Sequence, residues 1–241
     1  MNNYLIFGAT SGIGEAVLHE LLYDNTLVMV VRDLSKVTEV LKNNNRIKFI
    51  EHDLSNSSSL FEKLNEFELV EKFDGMIYSA GVEFTMPIKS MKYEDLLLIF
   101  NVNILSIYQS IKYFSQKKIS NTNSSIIVIS SIMSELGAAG KTAYCSSKSS
   151  INGLIKASAL ELSRRGIRVN AISPGIVMTK MGVNLLDKMT EAQRLNEISK
   201  YPLGLGKVEY ISDLCNFLLS EKSKWITGQN LIVDGGHSIS G

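Results

Sequence analysis

Tyr144 and Lys148 stand four positions apart, so a helix over this stretch places them one turn apart on the same face. The ordinary pKa of tyrosine, near 10, is too high for easy proton exchange at neutral pH. A nearby ammonium group favours the phenolate, so such a pair can act as a general acid or base. Ser131, thirteen residues before Tyr144, adds a hydroxyl at the predicted end of a strand. These side chains predict proton transfer to or from a substrate oxygen.

The same spacing occurs twice more, at Tyr108 with Lys112 and at Tyr113 with Lys117. Both pairs lie in the long helical segment before the fifth predicted strand, where the tyrosines are interpreted as packing residues. Neither pair has a hydroxyl residue thirteen positions earlier. Position therefore favours Tyr144, for which a buried structural tyrosine is the alternative.

A glycine-rich turn directly follows the first predicted strand and opens a helix; it reads Gly8-Ala9-Thr10-Ser11-Gly12-Ile13-Gly14. Glycines at a strand–turn–helix junction let the backbone approach a pyrophosphate and direct the helix N-terminus towards it. No lysine follows Gly14, so the turn is not a triphosphate loop of the Walker type. It predicts a dinucleotide site, and a glycine turn without a ligand is the alternative.

Short runs rich in isoleucine and valine alternate with helix-period segments along the chain. Strands are predicted at residues 4–7, 27–31, 47–51, 75–79, 125–131, 168–173 and 230–233, and helices at 14–23, 34–42, 57–71, 93–116, 142–165 and 208–219. The strands mostly lack apolar–polar alternation, as expected when both faces are covered. We expect one α/β domain over residues 1–241, a doubly wound (Rossmann) parallel sheet of about seven strands with helices on both faces. Residues 175–200 interrupt this rhythm and are predicted to form a substrate lid.

The composition argues against several classes of protein. Of 241 residues, 45% are hydrophobic and 20% charged, and the formal net charge is +1. This balance leaves no global field that would gather nucleic acid or anionic lipid, and no apolar run approaches the 18 residues of a membrane span. Two cysteines and three scattered histidines argue against a metal site. We expect a cytoplasmic protein without nucleic-acid, membrane or metal partners.

These motifs, in this order, resemble those of the short-chain dehydrogenase/reductases, in their single-domain branch. The resemblance runs from residue 4 to residue 236 and is greatest to 3-oxoacyl-acyl-carrier-protein reductases and general carbonyl reductases. The matching elements are Gly8-x-x-x-Gly12-x-Gly14, Asp53-Leu54, Ala80-Gly81, Asn103, Ser131, Tyr144-x-x-x-Lys148, Pro174-Gly175 with Thr179, and Val233-Asp234-Gly235-Gly236. Two departures concern local hydrogen bonding: Phe7 replaces the usual threonine, and Tyr78-Ser79 replaces Asn-Asn.

The resemblance implies four catalytic residues. Tyr144 would exchange a proton with the substrate oxygen, and Ser131 would hydrogen-bond that oxygen as charge develops on it. Lys148 would hold the nicotinamide ribose and lower the pKa of Tyr144. Asn103 would hold a water that links Lys148 to solvent.

The resemblance also implies the cofactor contacts. The backbone near Ile176 and the Thr179 hydroxyl would bind the nicotinamide carboxamide. Asp53 would meet the adenine, and an aspartate that only caps a turn is the equal alternative. The other implied contacts are the glycine turn and Leu54, Ala80, Gly81, Pro174 and Gly175.

Arg32 bears on the choice between NAD and NADP. Where an acid would bind both ribose hydroxyls at the end of the second strand, the chain has Val31. Arg32 follows, and a guanidinium can fork onto a 2′-phosphate. Ser11 is uncharged where many NADP-preferring relatives carry a second base, and a surface pair of Arg32 with Asp33 is the alternative. NADP(H) is favoured, with NAD(H) as the other possibility.

The predicted function is hydride transfer between NADP(H) and a ketone or secondary alcohol, with a 3-oxoacyl thioester as a candidate substrate. Apolar residues in 175–200, with Met133, Leu136, Phe84 and Met86, favour an apolar pocket over a sugar site, although half of them could be core. The alternatives are an NAD-dependent alcohol or sugar dehydrogenase of the same family and a dinucleotide-binding sensor without turnover. The resemblance also implies a homotetramer or homodimer built from residues 93–116, 142–165 and the last strand.

Overall fold

The computed structural model of the protein describes residues 1–240 and contains a seven-stranded sheet. Its strands are β1 (Asn3–Phe7), β2 (Thr26–Val31), β3 (Ile47–Glu51), β4 (Phe73–Tyr78), β5 (Ser120–Ile129), β6 (Arg168–Pro174) and β7 (Asn230–Val233). They are all parallel, in the order β3-β2-β1-β4-β5-β6-β7. The chain reverses its direction of travel across the sheet between β1 and β4, where open α/β sheets bind ligands at the strands' carboxyl ends. The predicted doubly wound fold is confirmed.

Helices cover both faces of this sheet. They are α1 (Gly12–Leu21), α2 (Glu39–Lys42), α3 (Leu60–Asn65), α4 (Tyr93–Phe100), α5 (Ser106–Phe114), α6 (Thr142–Leu162), α7 (Lys180–Asp187), α8 (Glu191–Ser199) and α9 (Val208–Leu219). Alternate residues of β1 divide between two cores: Leu5 and Phe7 pack with α3, α5 and α6, whereas Tyr4 and Ile6 pack with α1 and α9. Burial on both faces explains the continuous apolar runs in the sequence.

Two predicted helices are much shorter than their patterns indicated. Residues 34–42 form a 3₁₀ turn, Leu34–Lys36, and the single-turn α2, because the backbone at Val37 is extended between them. The second shortened helix was predicted at residues 57–71, but α3 ends at Asn65. Phe67 and Leu69 then pack against the core at a spacing of two, which a helix cannot provide.

The predicted long helix 93–116 is interrupted by a π-helical turn, Asn101–Leu105, between α4 and α5. Taken together, α4, the π-helical turn and α5 form one continuous helical segment, Tyr93–Phe114, of 22 residues with a mean hydropathy of 1.2 in its most apolar window. By length and composition, this one helix in the described part of the chain could cross a membrane. The same residues include Ile99, Ile107, Ile111 and Phe114, which are buried in the fold. The expectation that the protein has no membrane partner stays a prediction.

Candidate active site

A cleft of about 630 Å³ opens at the carboxyl ends of the strands, within the size range of ligand sites. All of the predicted site residues except Gly14 and Asn103 line it. Tyr108 and Tyr113, which share the Tyr-x-x-x-Lys spacing, lie on α5 and do not line the cleft. The fold thus separates the three pairs as position in the sequence predicted.

Ser131, Tyr144 and Lys148 come together in this cleft from β5 and α6. Ser131 begins the 3₁₀ turn Ile132–Ser134 just after β5, and its Oγ accepts the Met133 N–H at 3.2 Å. The Ser131 side chain lies near the Tyr144 phenol, whose pKa it lowers, and both line the cleft. Lys148 Nζ lies 5.8 Å from the Tyr144 ring centroid and donates to the Ile129 carbonyl at 3.0 Å. Tyr144 is 7% exposed and Lys148 3% exposed, so the phenol and the amine are withdrawn from bulk water beside the half-buried Ser131.

The pKa of Tyr144 reflects its burial in the cleft. Burial raises it above its usual value, the Glu83 carboxylate raises it further, and the neighbouring Ser131 side chain opposes both. Burial lowers the pKa of Lys148 to about 8, against an opposing effect of Glu83. The Tyr144 pKa is above its usual value because removing the phenol from water has the largest effect, and the lowering by Lys148 that the resemblance implies stays a prediction.

Asn103 lies in the π-helical turn and is fully buried. Its side chain accepts the Val82 N–H and donates to the Val82 carbonyl, both at 2.9 Å, and donates to Ser147 Oγ at 3.1 Å. Ser147 in turn donates to the Tyr144 carbonyl at 2.8 Å. Asn103 therefore ties the loop after β4 to the helix that carries Tyr144 and Lys148.

Two glycines of the glycine turn, Gly8 and Gly14, have no space for a side chain. Gly8 has φ +79°, and a Cβ there would lie 2.6 Å from the Ala80 nitrogen. A Cβ on Gly14 would overlap the Gly8 carbonyl oxygen and Ser79 Oγ. Ser11 precedes α1 without making a side-chain capping bond, so the first N–H groups of α1 lack that partner beside the cleft. This close-packed turn and uncapped helix N-terminus fit a dinucleotide pyrophosphate.

The residues at the two sequence departures, Phe7 and Tyr78-Ser79, make local contacts of their own. The Phe7 and Tyr78 rings stack with centroids 5.1 Å apart, and the Tyr78 hydroxyl donates to the Val102 carbonyl at 2.6 Å. Ser79 Oγ donates to the Phe7 carbonyl at 2.7 Å, which joins β1 to the loop after β4.

Arg32 lines the cleft and is exposed, and its predicted surface partner is engaged elsewhere. Asp33 accepts the Ser35 N–H at 3.0 Å and pairs with Lys36 Nζ at 3.0 Å. The alternative that Arg32 only pairs with Asp33 is therefore wrong. Asp53 lines the cleft and also accepts the Ser55 N–H at 2.9 Å, so it caps a turn as well. Burial opposes ionisation of Asp53, but the bonds from Ser55 and the charge of Arg32 outweigh it and lower its pKa.

The two groups predicted to hold the nicotinamide carboxamide already have partners within the chain. The Ile176 N–H donates to the Tyr201 hydroxyl at 3.1 Å. Thr179 is the N-cap of α7, where its Oγ accepts the Gly182 N–H at 3.2 Å and donates weakly to the Val177 carbonyl at 3.4 Å. Both residues line the cleft, so a carboxamide there would have to share or replace these partners.

Sequence reasoning missed several polar residues that also line the cleft, namely Glu83, Lys141, Glu197, Tyr201 and His237. Charged residues close to the motifs, two positions after Gly81 and three before Tyr144, were the available signal for Glu83 and Lys141. The predicted apolar pocket is present only in part. Met133, Leu136, Val177, Met181, Leu185 and Met189 line the cleft, whereas Phe84, Met86, Met178, Val183 and Leu186 do not.

Comparisons with known proteins agree with this architecture. A family model described as enoyl-(acyl carrier protein) reductase matches residues 8–238. A 3-oxoacyl-[acyl-carrier-protein] reductase FabG of Buchnera aphidicola is 32% identical over 96% of this chain and 95% of its own length. The FabG of Thermotoga maritima is 31% identical over 96% of both chains.

Two solved structures are similar over 99% of both chains. A short chain dehydrogenase family protein from Francisella tularensis has a TM-score of 0.87 at 29% identity. ElxO with NADP bound has a TM-score of 0.85 at 27% identity. With the glycine turn and the Ser–Tyr–Lys cleft described above, these matches show that the chain belongs to the short-chain dehydrogenase/reductase family of NAD(P)-dependent oxidoreductases.

Proposed function

We propose that this protein uses NADP(H) to interconvert a ketone and a secondary alcohol, with Tyr144 as the general acid and base. The observation that carries the proposal is that the Ser131 hydroxyl and the Tyr144 phenol line one cleft beside the buried Lys148 amine. These groups share one cleft with the glycine turn. When bound, the nicotinamide would supply or accept the hydride.

In the reducing direction, Tyr144 would donate its proton to the carbonyl oxygen as that oxygen gains negative charge. Ser131 would donate a hydrogen bond to the same oxygen, in the manner of an oxyanion site. Because its pKa is raised, the phenol is protonated at neutral pH and is ready to donate. The Lys148 amine would stabilise the phenolate left behind and, with a pKa of about 8, can return a proton to it. The water relay assigned to Asn103 would then link Lys148 to solvent.

Arg32 supports NADP(H) over NAD(H). The guanidinium lies at the cleft, while Asp33 is held by Ser35 and Lys36 and does not neutralise it. A free guanidinium binds a phosphate monoester through two parallel hydrogen bonds. The neighbour ElxO, which binds NADP, is consistent with this preference.

The cleft supports a 3-oxoacyl thioester as the substrate class. Met181, Leu185 and Met189 from residues 175–200 line it together with Met133 and Leu136, and flexible methionines adapt to alkyl chains. The relatives named 3-oxoacyl-[acyl-carrier-protein] reductase match this chain at 31–32% identity over 95–96% of their own length. In this proposal α7 and α8 form the substrate lid.

Exposed apolar side chains support the homotetramer or homodimer. Leu97, Leu105 and Tyr108 are exposed along α4, the π turn and α5, and Leu160 is exposed on α6. Strand β7 is the last strand of the sheet, and Ile232 is exposed on it. A second copy of the chain would cover these surfaces, which size-exclusion chromatography with light scattering would detect.

The function is tested by following NADPH and NADH absorbance with purified protein. The ketone panel contains a 3-oxoacyl thioester, an aliphatic diketone, a steroid ketone and a sugar ketone. We expect NADPH oxidation to be fastest with the thioester or the diketone. If the protein binds NADPH but no ketone of the panel causes its oxidation, the proposed activity is overturned and a dinucleotide-binding sensor is favoured. Faster turnover with NADH and the sugar ketone would favour an NAD-dependent sugar dehydrogenase.

A further inference from the structure

Glu83 and Lys141 form an ion pair that joins two loops at the cleft. Glu83 follows β4, and Lys141 immediately precedes α6, three residues before Tyr144. Their side chains are only 15% and 13% exposed, unlike the other Lys–carboxylate pairs of the described chain, each of which has a more exposed member. Because water screens these two charges less than it screens exposed ones, they act more strongly on neighbouring ionisable groups.

The backbone around the pair holds the two loops in register. The Met86 N–H donates to the Gly140 carbonyl at 2.9 Å. Gly140 has φ +80°, and a Cβ there would lie 3.3 Å from Thr85 Cγ2. Thr85 Oγ1 donates to Glu83 Oε1 at 3.3 Å. Glu83 is thus fixed by a cation, a hydroxyl and a loop–loop contact.

The pair lies within electrostatic range of the phenol. Lys141 Nζ is 5.8 Å from the Tyr144 ring centroid, the same distance as Lys148 Nζ, so two lysine amines lie near the ring. Glu83 is the carboxylate whose charge acts on both Tyr144 and Lys148. The side chains of the pair hydrogen-bond each other and Thr85, so the effect of the pair on Tyr144 would be electrostatic.

We propose that Glu83 and Lys141 are positioning residues that set the protonation of Tyr144, with Glu83 keeping the hydroxyl in its proton-donating form and Lys141 limiting that effect. This rests on the function proposed above. Removing the carboxylate leaves Lys141 as an unpaired cation near the ring and favours the phenolate, whereas removing Lys141 leaves the carboxylate unpaired and favours the phenol. The two substitutions therefore act in opposite directions.

The other ionisable groups near the phenol are the same whether Glu83 or Lys141 is replaced. Cys145 adjoins Tyr144 and slightly favours the protonated phenol. The remaining ionisable groups from α7, α8 and the C-terminal segment that line the cleft are Lys180, Glu197, Lys200 and His237. Glu197 pairs with Lys200 at 2.5 Å and approaches His237 Nε2 at 3.8 Å, so much of this charge is already balanced locally.

The test compares Glu83→Gln and Lys141→Gln in the direction of alcohol oxidation, which requires the phenolate. We expect Glu83→Gln to move the rise of kcat with pH about one pH unit lower, and Lys141→Gln to move it higher. Glu66→Gln, which removes an exposed carboxylate paired with Lys63, is the matched control and should leave the profile in place. Equal profiles, or shifts of both variants in one direction as a packing defect would give, would overturn the proposal.

A second measurement does not depend on turnover. In NMR spectra of the NADP complex with tyrosine labelled by ¹³C at Cζ, the chemical shift of each Cζ reports the ionisation of its phenol. The resonance that is missing in Tyr144→Phe is that of Tyr144. We expect the Tyr144 resonance to titrate at lower pH in Glu83→Gln than in Lys141→Gln, and the same midpoint in both would refute the proposal. Absence of turnover with these opposite shifts intact would reject only the proposed function.

Discussion

The Ile176 amide donates a hydrogen bond to the hydroxyl of Tyr201, 3.1 Å away and 25 residues further along the chain. The Tyr201 ring also occupies the space beside Gly175, where a Cβ would lie 2.7 Å from Tyr201 Cε1. The His237 ring packs against Tyr201 with centroids 4.7 Å apart. The segment after β6, which carries the predicted carboxamide contacts, is therefore anchored from the far side of the lid.

Tyr201→Phe should destabilise the protein while preserving the packing of the ring. The Ile176 N–H would lose its acceptor, and the loss of such a bond costs about 1 kcal/mol of unfolding free energy. Urea unfolding measures this difference, with Tyr210→Phe at an exposed position as the control. Equal unfolding midpoints for Tyr201→Phe and Tyr210→Phe would show that the bond contributes nothing.

Gly14→Ala should weaken NADPH binding about tenfold or more and lower stability. The new Cβ would overlap the Gly8 carbonyl oxygen and Ser79 Oγ, so the turn must shift by enough to cost at least ~1.4 kcal/mol of binding free energy. Gly153→Ala in α6 is the matched control, because the added Cβ would meet no atom within 4 Å beyond its chain neighbours and the nearby backbone of its own helix. That control should gain up to about 1 kcal/mol of stability and keep its affinity. Fluorescence titration with NADPH decides, and similar affinities for the two variants would contradict the packing argument.

Lys148→Met should make the protein more stable at pH 7. Burial lowers the pKa of Lys148 from 10.5 to about 8, so below pH 8 the folded chain carries a charged amine at a cost of about 3 kcal/mol. Between pH 8 and 10.5 the folded state loses its proton before the unfolded state does, and the wild-type chain recovers this cost. The stability advantage of the variant should therefore shrink as pH rises through this window. Urea unfolding of both proteins at pH 7 and pH 10 tests this, and a constant difference would refute it.

Arg32→Ala should raise the KM for NADPH about 10- to 100-fold and change that for NADH little. Charge-assisted hydrogen bonds to a phosphate contribute about 1.5–3 kcal/mol, and only NADPH carries the 2′-phosphate. Lys36→Ala, which removes the cation paired with Asp33, is the control on the same loop. Equal changes in both KM values would mean that Arg32 does not select the cofactor.

The sequence was sufficient for the sheet and for the placement of Tyr144. Continuous apolar strands predicted a sheet covered on both faces, and the position of Tyr144 after β5 separated it from Tyr108 and Tyr113. The segments that failed are those in which packing overrides local pattern. Phe67 and Leu69 meet the core at a spacing of two and end α3 early, although the residues before them favour a helix.

Long-range pairing explains what was missed in the cleft. Glu83 and Lys141 are 58 residues apart, and Tyr201 is 25 residues from Ile176, so only the fold brings each pair together. The effect of burial on the Tyr144 pKa was missed for a related reason. Spacing along α6 reports the distance to Lys148, whereas the dominant effect is burial by residues distant in sequence.

The role of Tyr144 as the acid of the reaction is tested most directly by comparing Tyr144→Phe with Tyr108→Phe. Both substitutions replace a tyrosine that has a lysine four residues later. Each variant is titrated with NADPH and then mixed with the best ketone of the panel while the absorbance of NADPH is followed. We predict that both bind NADPH as the wild-type protein does, that Tyr108→Phe oxidises it, and that Tyr144→Phe loses at least about 100-fold of the rate. Oxidation by Tyr144→Phe at the rate of Tyr108→Phe would show that the phenol in the cleft is not the acid of the reaction.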